Sequence, residues 1–356
     1  MNTRIIALLA VCIMMTSSLA HAFEVKLYGQ GNLSMDSVDD GEESSLLVTS
    51  SSSRLGITGN HNVNSDLKVI FQFETGVDIT SQGGNDGNGP TDPADGGQLF
   101  TKGRPSFVGL SGGFGKVLIG HTPGLDQWAN DYNLFADHVG DLGNLWEAAG
   151  LPGRVDNVLH YGSPTFMDAL DFALTYKPEE FDEDSQGLIF KGNLNHALGT
   201  GKVKLGFAYA TFGQGADADD HVGVAVLASY HADKFSVGGG VQNETDAGGV
   251  EGLDLDHIYF GGSVNISDKV TLKAQYALTE VDADDADASQ IAVGIDFMLD
   301  KHTTLFANYA QVDNDAEVAF AVNGKGHGDK VVPAFGDDPT ALSVGIIYQF
   351  DVGYSK

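Results

Sequence analysis

The 356-residue sequence has few positive charges, a single cysteine and only one long apolar run. Its 19 Lys and Arg residues stand against 49 Asp and Glu residues, which gives a formal net charge of −30. Such a surface repels phosphate, so the composition excludes a nucleic-acid-binding function. Beyond the N-terminus, no stretch approaches the roughly 18–20 continuous apolar residues of a membrane helix, which excludes a helical membrane protein.

The only long apolar run belongs to a predicted signal peptide at residues 1–22. Arg4 supplies the positive charge that precedes the run, and residues 20–22 (AHA) form a small-residue cleavage site. Cleavage there removes the only cysteine, Cys12, and leaves a mature chain that begins at Phe23. A cysteine-free exported chain has no disulfide bonds and no thiol catalysis.

Most of the mature sequence alternates apolar and polar residues over stretches of about ten positions. In 289–299, for example, every second residue from Ile291 to Leu299 is apolar. A period of two predicts β-strands, because successive side chains of a strand point to opposite faces. The predicted strands lie at residues 24–36, 53–62, 66–78, 104–112, 115–122, 157–163, 170–178, 188–197, 201–213, 221–231, 235–243, 257–266, 269–281, 289–299, 303–313 and 340–350.

The connections between these strands alternate between short turns and long loops. The turn at 62–65 is short, whereas 37–52, 123–156 and 314–339 are long and are predicted to face outward or to serve a special function. An even strand number with this alternation is typical of bacterial outer-membrane barrels. The strand lengths also fit the roughly 9–11 tilted residues that cross a bilayer.

A soluble β-sandwich also alternates, so the second face of the strands decides between the two folds. That face carries Lys, Gln, Asn, Thr and Asp, which suit a water-filled lumen better than a sandwich core. An antiparallel sheet in lipid must close, because an open edge leaves unpaired backbone groups in hydrocarbon. We therefore predict an all-β, 16-stranded antiparallel transmembrane barrel that encloses an aqueous channel.

Three segments resemble the Gram-negative general diffusion porins: 53–59 (SRLGITG), 102–117 (KGRPSFVGLSGGFGKV) and 154–161 (RVDNVLHY). Their order and spacing match the second strand, the fourth and fifth strands, and the exit of the third loop. The resemblance implies a homotrimeric porin over 23–356, located in the cell outer membrane among lipid and lipopolysaccharide. It also implies that the third loop, 123–156, folds inward to narrow the pore.

The loop 123–156 contains both tryptophans of the chain, Trp128 and Trp146, which suggests packing against a wall. We expect it to present carboxylates to the lumen; the alternative is an external loop that contacts a neighbouring subunit. Loops of this length without secondary structure are usually functional or disordered. The candidate acids are Asp126, Asp131, Asp137, Asp141 and Glu147, with Asp137 and Asp141 favoured.

By the resemblance, a cluster of basic side chains faces this loop from the barrel wall. Strand parity supports Arg54 independently, because it shares a face with Thr58 and Asn60. Acids on one side and bases on the other create a transverse field that orients solutes and sets ion preference. With few wall bases and an acidic mouth, the sequence predicts mild cation preference. The basic candidates are Arg54, Lys102, Arg104 and Arg154.

The sequence predicts no enzyme and no cofactor, but a passive channel for ions and small hydrophilic solutes. It has no His-Glu-x-x-His motif, and no serine and histidine pair at matched depth on the lipid face for an outer-membrane lipase. A solute-selective porin stays open, although lumen aromatics are few (Tyr28 and Tyr259), as does a non-conducting acidic adhesin or structural barrel. Non-specific divalent-cation binding is considered for the acidic loops at 39–43, 179–184, 217–220, 254–256 and 282–287.

Overall fold

In a computed structural model, the chain forms an antiparallel β-barrel with almost no helix. The structure describes residues 23–80, 103–124, 132–146, 151–179 and 184–355. None of the helices in these ranges is long and apolar enough to cross a membrane. The strand segments in these ranges are β1 (Phe23–Asp39), β2 (Ser44–Ser50), β3 (Arg54–Asn62), β4 (Leu67–Gly76), β5 (Ser106–Gly112), β6 (Gly115–Pro123), β7 (Arg154–Gly162), β8 (Leu170–Lys177), β9 (Gly187–Leu198), β10 (Gly201–Phe212), β11 (His221–His231), β12 (Phe235–Thr245), β13 (Leu255–Ser267), β14 (Val270–Val281), β15 (Ala288–Asp300), β16 (Thr303–Asn314) and β17 (Thr340–Ser355).

The segments β2 and β3 are two halves of one barrel strand, and both pair with β1. Leu33 lies opposite Ser50, and Gln30 lies opposite Arg54. Between these pairs the β2–β3 side holds one more residue than β1, as in a β-bulge, and Ser52 there has a φ of 49°. The described segments therefore make the predicted sixteen-stranded antiparallel barrel, which is confirmed.

The barrel closes between its first and last strands. β17 pairs with β1 from Asp39 opposite Thr340 to Glu24 opposite Ser355. Every other neighbouring pair of barrel strands is also antiparallel. Among the strands that the structure describes, closure leaves no strand without a neighbour on each side, which is the condition for a sheet in hydrocarbon.

Two stretches differ from the sequence prediction. The predicted loop 37–52 is mostly strand, because β1 runs on to Asp39 and β2 pairs with it around a short turn. The last strand also extends past the predicted end at residue 350 to Ser355. In both stretches the alternation of apolar and polar residues is short, so the sequence pattern alone did not predict a strand there. In β2, for example, the outward apolar residues are only Leu46 and Val48.

The distribution of side chains is inverted relative to a water-soluble protein. Outward residues such as Ile119 and Phe260 are 68% and 61% exposed, whereas inward residues such as Gln290 and Asn308 are buried. A continuous apolar band of this kind would be an aggregation surface in water, but it matches the hydrocarbon layer of a membrane. The outward face therefore contacts lipid or another membrane subunit, and the polar face lines the interior.

The largest apolar cluster lies inside the barrel, where residues 132–146 (hereafter the inner loop) pack against the wall. The inner loop ends in one helical turn, α1 (Gly143–Trp146). Its large buried side chains, such as Phe135 and Trp146, meet a wall of small residues that leaves room for them. Those wall residues are Ala277, Ala288, Ala292, Ala310 and Ala341.

An arginine placed on either face of one strand tests this orientation. Ile57 points outward and the adjacent Thr58 points inward on β3. We expect Ile57→Arg to lower the free energy of unfolding by up to about 2–4 kcal/mol, the largest cost of placing a charge on the lipid face of a membrane barrel. Thr58→Arg should change it far less, because its side chain enters the aqueous interior. Urea unfolding of the barrel in lipid vesicles measures both, and equal losses would contradict the assignment.

Candidate functional site

The inner loop is held to the wall by hydrogen bonds as well as by its apolar cluster. Gln290 on β15 is buried, and its Nε2 donates to the backbone oxygens of Gly140 (2.9 Å) and Asp141 (3.1 Å). The Oε1 of Gln290 accepts a bond of 2.9 Å from Asn144. Because these groups are removed from bulk water, each bond left unmade would be costly, and the loop position is well determined.

Gly140 lets the inner loop approach the wall closely. Its φ is +76°, a conformation that L side chains rarely adopt. A Cβ atom at this position would lie 2.6 Å from the Cβ of Ala292 and 2.9 Å from the Cβ of Ala310. Both the backbone and the space therefore require glycine here.

Asp141 organises the inner loop from within. Its carboxylate accepts hydrogen bonds from the side-chain amide of Asn133 (2.7 Å) and from the backbone N–H groups of Asp137 (2.6 Å) and Gly143 (2.8 Å). Asp141 is only 4% exposed. The structure thus places this predicted pore acid inside the loop, where it does not face the open interior.

Asp137, by contrast, faces a basic side chain of the wall. Its Oδ2 lies 3.6 Å from Nη1 of Arg54, and the two side chains are 28% and 27% exposed. Arg54 also donates to Oε1 of Gln30 (3.1 Å) and to the backbone oxygen of Ser52 (3.3 Å). The guanidinium is therefore fixed in direction while part of it stays open to the interior.

A second acid–base contact lies beside the first. Nε of Arg104 is 4.0 Å from Oε1 of Glu74, and the other carboxylate oxygen of Glu74 accepts a 2.7 Å hydrogen bond from the Tyr28 hydroxyl. Burial lowers the pKa of Arg104 to about 10, so its side chain stays charged at neutral pH. Both partners are largely covered, and they act on the interior through their field more than by contact.

Arg154 completes this group. It lies close enough to Asp137, Glu74 and Arg54 to interact with them electrostatically. Its Nε is buried and finds no hydrogen-bond partner among the described residues. Arg54, Arg104, Arg154, Glu74 and Asp137, hereafter the charged ring, together carry a formal charge of +1 (three cations and two anions).

Sequence reasoning identified part of this arrangement. The structure brings Arg54, Arg104, Arg154 and Asp137 together, whereas Lys102, Asp126, Asp131 and Glu147 lie outside the described residues. The sequence analysis missed Glu74, although the alternation of apolar and polar residues in β4 could have indicated its inward position. Glu74 follows Gln72 on the inward face, opposite Phe71 and Phe73.

A second connection also folds inward, although the sequence analysis treated it as an outward loop. The backbone oxygen of Val322 accepts hydrogen bonds from the N–H of Gly140 (2.9 Å) and from the side chain of Asn144 (2.8 Å). Nε2 of His327 lies 3.2 Å from Oδ2 of Asp36 on β1. The connection 315–339 therefore braces the inner loop.

The described residues contain no group of three or more acidic, histidine or cysteine side chains that could hold a metal ion. His221 and His257 instead share one carboxylate, with their Nε2 atoms 2.7 and 3.2 Å from the oxygens of Glu244. All three side chains are buried and make further hydrogen bonds, for example the one between Thr279 and His257. This trio is a structural network, and cation binding at the acidic loops stays a prediction.

Comparisons with known proteins agree with this geometry. A family model described as Gram-negative porin matches residues 7–317. Outer membrane porin protein 32 of Delftia acidovorans is 29% identical over 315 residues, 84% of this chain and 85% of that protein. The solved anion-selective porin from Comamonas acidovorans is 27% identical, with a TM-score of 0.73 over 92% of this chain and 100% of that one. The trimer form of OmpT from Vibrio cholerae is 19% identical and shares the fold, with a TM-score of 0.67 over 92% and 99% of the two chains.

Two glycine substitutions test the close approach of the inner loop. Gly140→Ala adds both backbone strain and a clash with the wall, whereas Gly199→Ala adds strain alone, since it has a φ of +61° and no atom within 4 Å of the added Cβ. Gly199→Ala should lower the free energy of unfolding by roughly 1 kcal/mol, the cost of backbone strain alone. We expect Gly140→Ala to lower it clearly more, and therefore to lower the melting temperature more. It should also change the near-ultraviolet circular dichroism of Trp146. Equal effects of the two substitutions would contradict the packing of Gly140.

Proposed function

This chain belongs to the Gram-negative porin family, and we propose that it forms a passive outer-membrane channel that favours small anions over cations. The family and the barrel fold place it in the outer membrane as a porin channel. The selectivity rests on one observation: within the described residues, the charged ring has three arginines against two carboxylates. No step of covalent chemistry is part of the proposal.

The mild cation preference predicted from few wall bases and an acidic mouth finds no support. The acidic mouth consists of exposed outer loops, and exposed charges act over only about 8–10 Å at physiological ionic strength. In this proposal the charged ring borders the part of the interior that the inner loop narrows, so permeating ions pass close to it. The similar porin from Comamonas acidovorans, described as anion-selective, points in the same direction.

Further cations line one side of the interior. Strand alternation places lysines at inward positions of β4, β6, β9 and β10, because their sequence neighbours, such as Leu205 and Phe190, point outward. Glu74 is the only acid among the inward positions of these four strands. Lys68, Lys116, Lys202 and Lys204 lie near the short-turn ends of their strands, so the wall adds positive charge on that side of the charged ring. The lysines are Lys68, Lys116, Lys191, Lys202 and Lys204.

The assembly we propose is a homotrimer embedded in lipid and lipopolysaccharide. A solved relative in trimer form and the exposed apolar band support it. The acidic outer loops would then lie beside the phosphate groups of lipopolysaccharide, with divalent cations between them. Hard cations prefer such carboxylate oxygens.

Neutralising single charges tests the role of the charged ring. We expect Arg54→Gln and Arg154→Gln each to lower the chloride-to-potassium permeability ratio about twofold. A unit charge some 8 Å from an ion in water interacts by about 0.5 kcal/mol, screening at physiological ionic strength reduces this to about 0.2 kcal/mol, and the two ions shift in opposite directions. Asp137→Asn should raise the ratio by a similar factor. Reversal potentials of single channels in a planar bilayer with a KCl gradient measure these shifts.

An acid far from the charged ring serves as the control. Asp219→Asn removes a charge from an exposed outer loop and should leave the permeability ratio unchanged. The assignment fails if Asp219→Asn shifts the ratio as strongly as Asp137→Asn.

A further inference from the structure

Asp137 is the member of the charged ring that the inner loop supplies, and its main chain has a left-handed conformation. Its φ is +65°, which is uncommon for a residue other than glycine. The backbone N–H of Asp137 donates to Asp141, and its backbone oxygen accepts a bond of 3.4 Å from Nδ2 of Asn32. These bonds fix the main chain of Asp137, whereas the direction of its carboxylate depends on the groups that touch it.

Two groups confine the carboxylate of Asp137. On the wall side, its Oδ2 lies 3.6 Å from Nη1 of Arg54. Gly326, on the connection 315–339, lies against the other oxygen, since a Cβ atom added there would be 2.6 Å from Oδ1 of Asp137 and 3.2 Å from its Cα. The side chain of Asp137 is 28% exposed, so a carboxylate released from these contacts turns into the interior.

The segment 326–328, which begins with Gly326, is tied to the wall at both ends. Oγ of Ser52 donates to the backbone oxygen of Gly326 (3.0 Å), and the backbone N–H of Gly328 donates to Oγ of Ser51 (3.3 Å). Both serines are at most 5% exposed and lie in the bulge between β2 and β3. The bulge thus presents two buried hydroxyl groups to the segment.

Between these two ties, His327 forms a buried ion pair with the wall. Its Nε2 lies 3.2 Å from Oδ2 of Asp36, and the two side chains are 1% and 0% exposed. Its Nδ1 lies 3.3 Å from the backbone oxygen of Asp329, which can only accept, so Nδ1 carries a proton. A second proton on Nε2 makes the contact with Asp36 attractive. Separation of this pair would leave an uncompensated charge in the wall, which holds the segment in place.

From these contacts we propose that the segment 326–328 positions Asp137 for ion selection, by holding its carboxylate against Arg54 and away from permeating ions. This inference rests on the proposed function, because it says how the anion preference of the charged ring is maintained. Arg54 is fixed by its own bonds to Gln30 and to the backbone of Ser52. Loss of the segment's support therefore moves the negative charge alone. A carboxylate that turns into the interior comes closer to passing ions and attracts potassium more strongly.

Two alanine substitutions in the same connection test this contact. Gly326→Ala places a methyl group against the carboxylate of Asp137, whereas Gly336→Ala places one 3.3 Å from Cα of Ala316; the φ values are similar, +64° and +78°. We expect Gly326→Ala to lower the chloride-to-potassium permeability ratio of the full-length mature channel about twofold, as when a unit charge moves from some 8 Å to some 5 Å from the ions. Gly336→Ala should leave the ratio unchanged. Reversal potentials in a KCl gradient measure both.

A second variant loosens the segment without adding bulk, so it tests the inference even where Gly326→Ala does not fold. Ser52→Ala removes the hydroxyl group that holds Gly326 and changes no charge. Ser229→Ala is its matched control, because Ser229 is also buried and inward, and its hydroxyl group bonds to His231 (3.0 Å). We expect Ser52→Ala to lower the ratio in the same direction as Gly326→Ala, and Ser229→Ala to leave it unchanged.

Combination with Asp137→Asn separates positioning from a general distortion of the pore. The amide has nearly the shape of the carboxylate but no charge, so its movement does not alter ion preference. Gly326→Ala and Ser52→Ala should therefore lower the ratio in the wild-type background and leave it unchanged in the Asp137→Asn background. A distortion of the whole inner loop would act in both backgrounds.

The outcomes for this inference and for the proposed function are distinct. The inference is overturned if the conducting variants among Gly326→Ala and Ser52→Ala keep the wild-type ratio, or if they lower it equally in the Asp137→Asn background. Either result leaves the anion preference of the charged ring intact. A wild-type channel with cation selectivity in KCl, or an Asp137→Asn channel whose ratio does not rise, contradicts the proposed function itself.

Discussion

The constraint on which this structure depends is that every backbone N–H and C=O inside a membrane must find a partner in the protein. The chain meets it by pairing β17 with β1 over sixteen residue pairs, from Asp39 with Thr340 to Glu24 with Ser355. Closure forces all strands to show one face to lipid and one to the interior. The apolar exterior and the polar wall are consequences of that single requirement.

A closed sheet of sixteen strands encloses more space than its own side chains fill. The inner loop occupies part of it, packed on alanines and held by Gln290, and the connection 315–339 braces it from the other side. Because the loop brings Asp137 against Arg54, the narrowed interior carries charges of both signs. In the proposed function, selectivity depends on a few side chains of the charged ring, and much less on the exposed acids of the outer loops.

The sequence predicted the barrel well and its interior only in part. The strands can be predicted because apolar and polar residues alternate with a period of two, which is a local sequence pattern. The inward direction of Arg54 follows from the same alternation. The contacts of the inner loop join residues far apart in the chain, such as Asn144 and Gln290, and no local pattern encodes them. For that reason Asp141 could not be told from Asp137, and the bracing by 315–339 was not found. Glu74 was missed as well, although the local alternation of β4 indicates its inward direction.

The most direct test of the account is the reversal potential of the wild-type channel in a KCl gradient, measured at low and at molar salt. If the charged ring governs selectivity, the potential has the sign of anion preference at low salt and weakens without changing sign at molar salt, where the Debye length falls to about 3 Å. A potential of cation sign that disappears at molar salt would show that the screened outer loops dominate, and it would contradict the account.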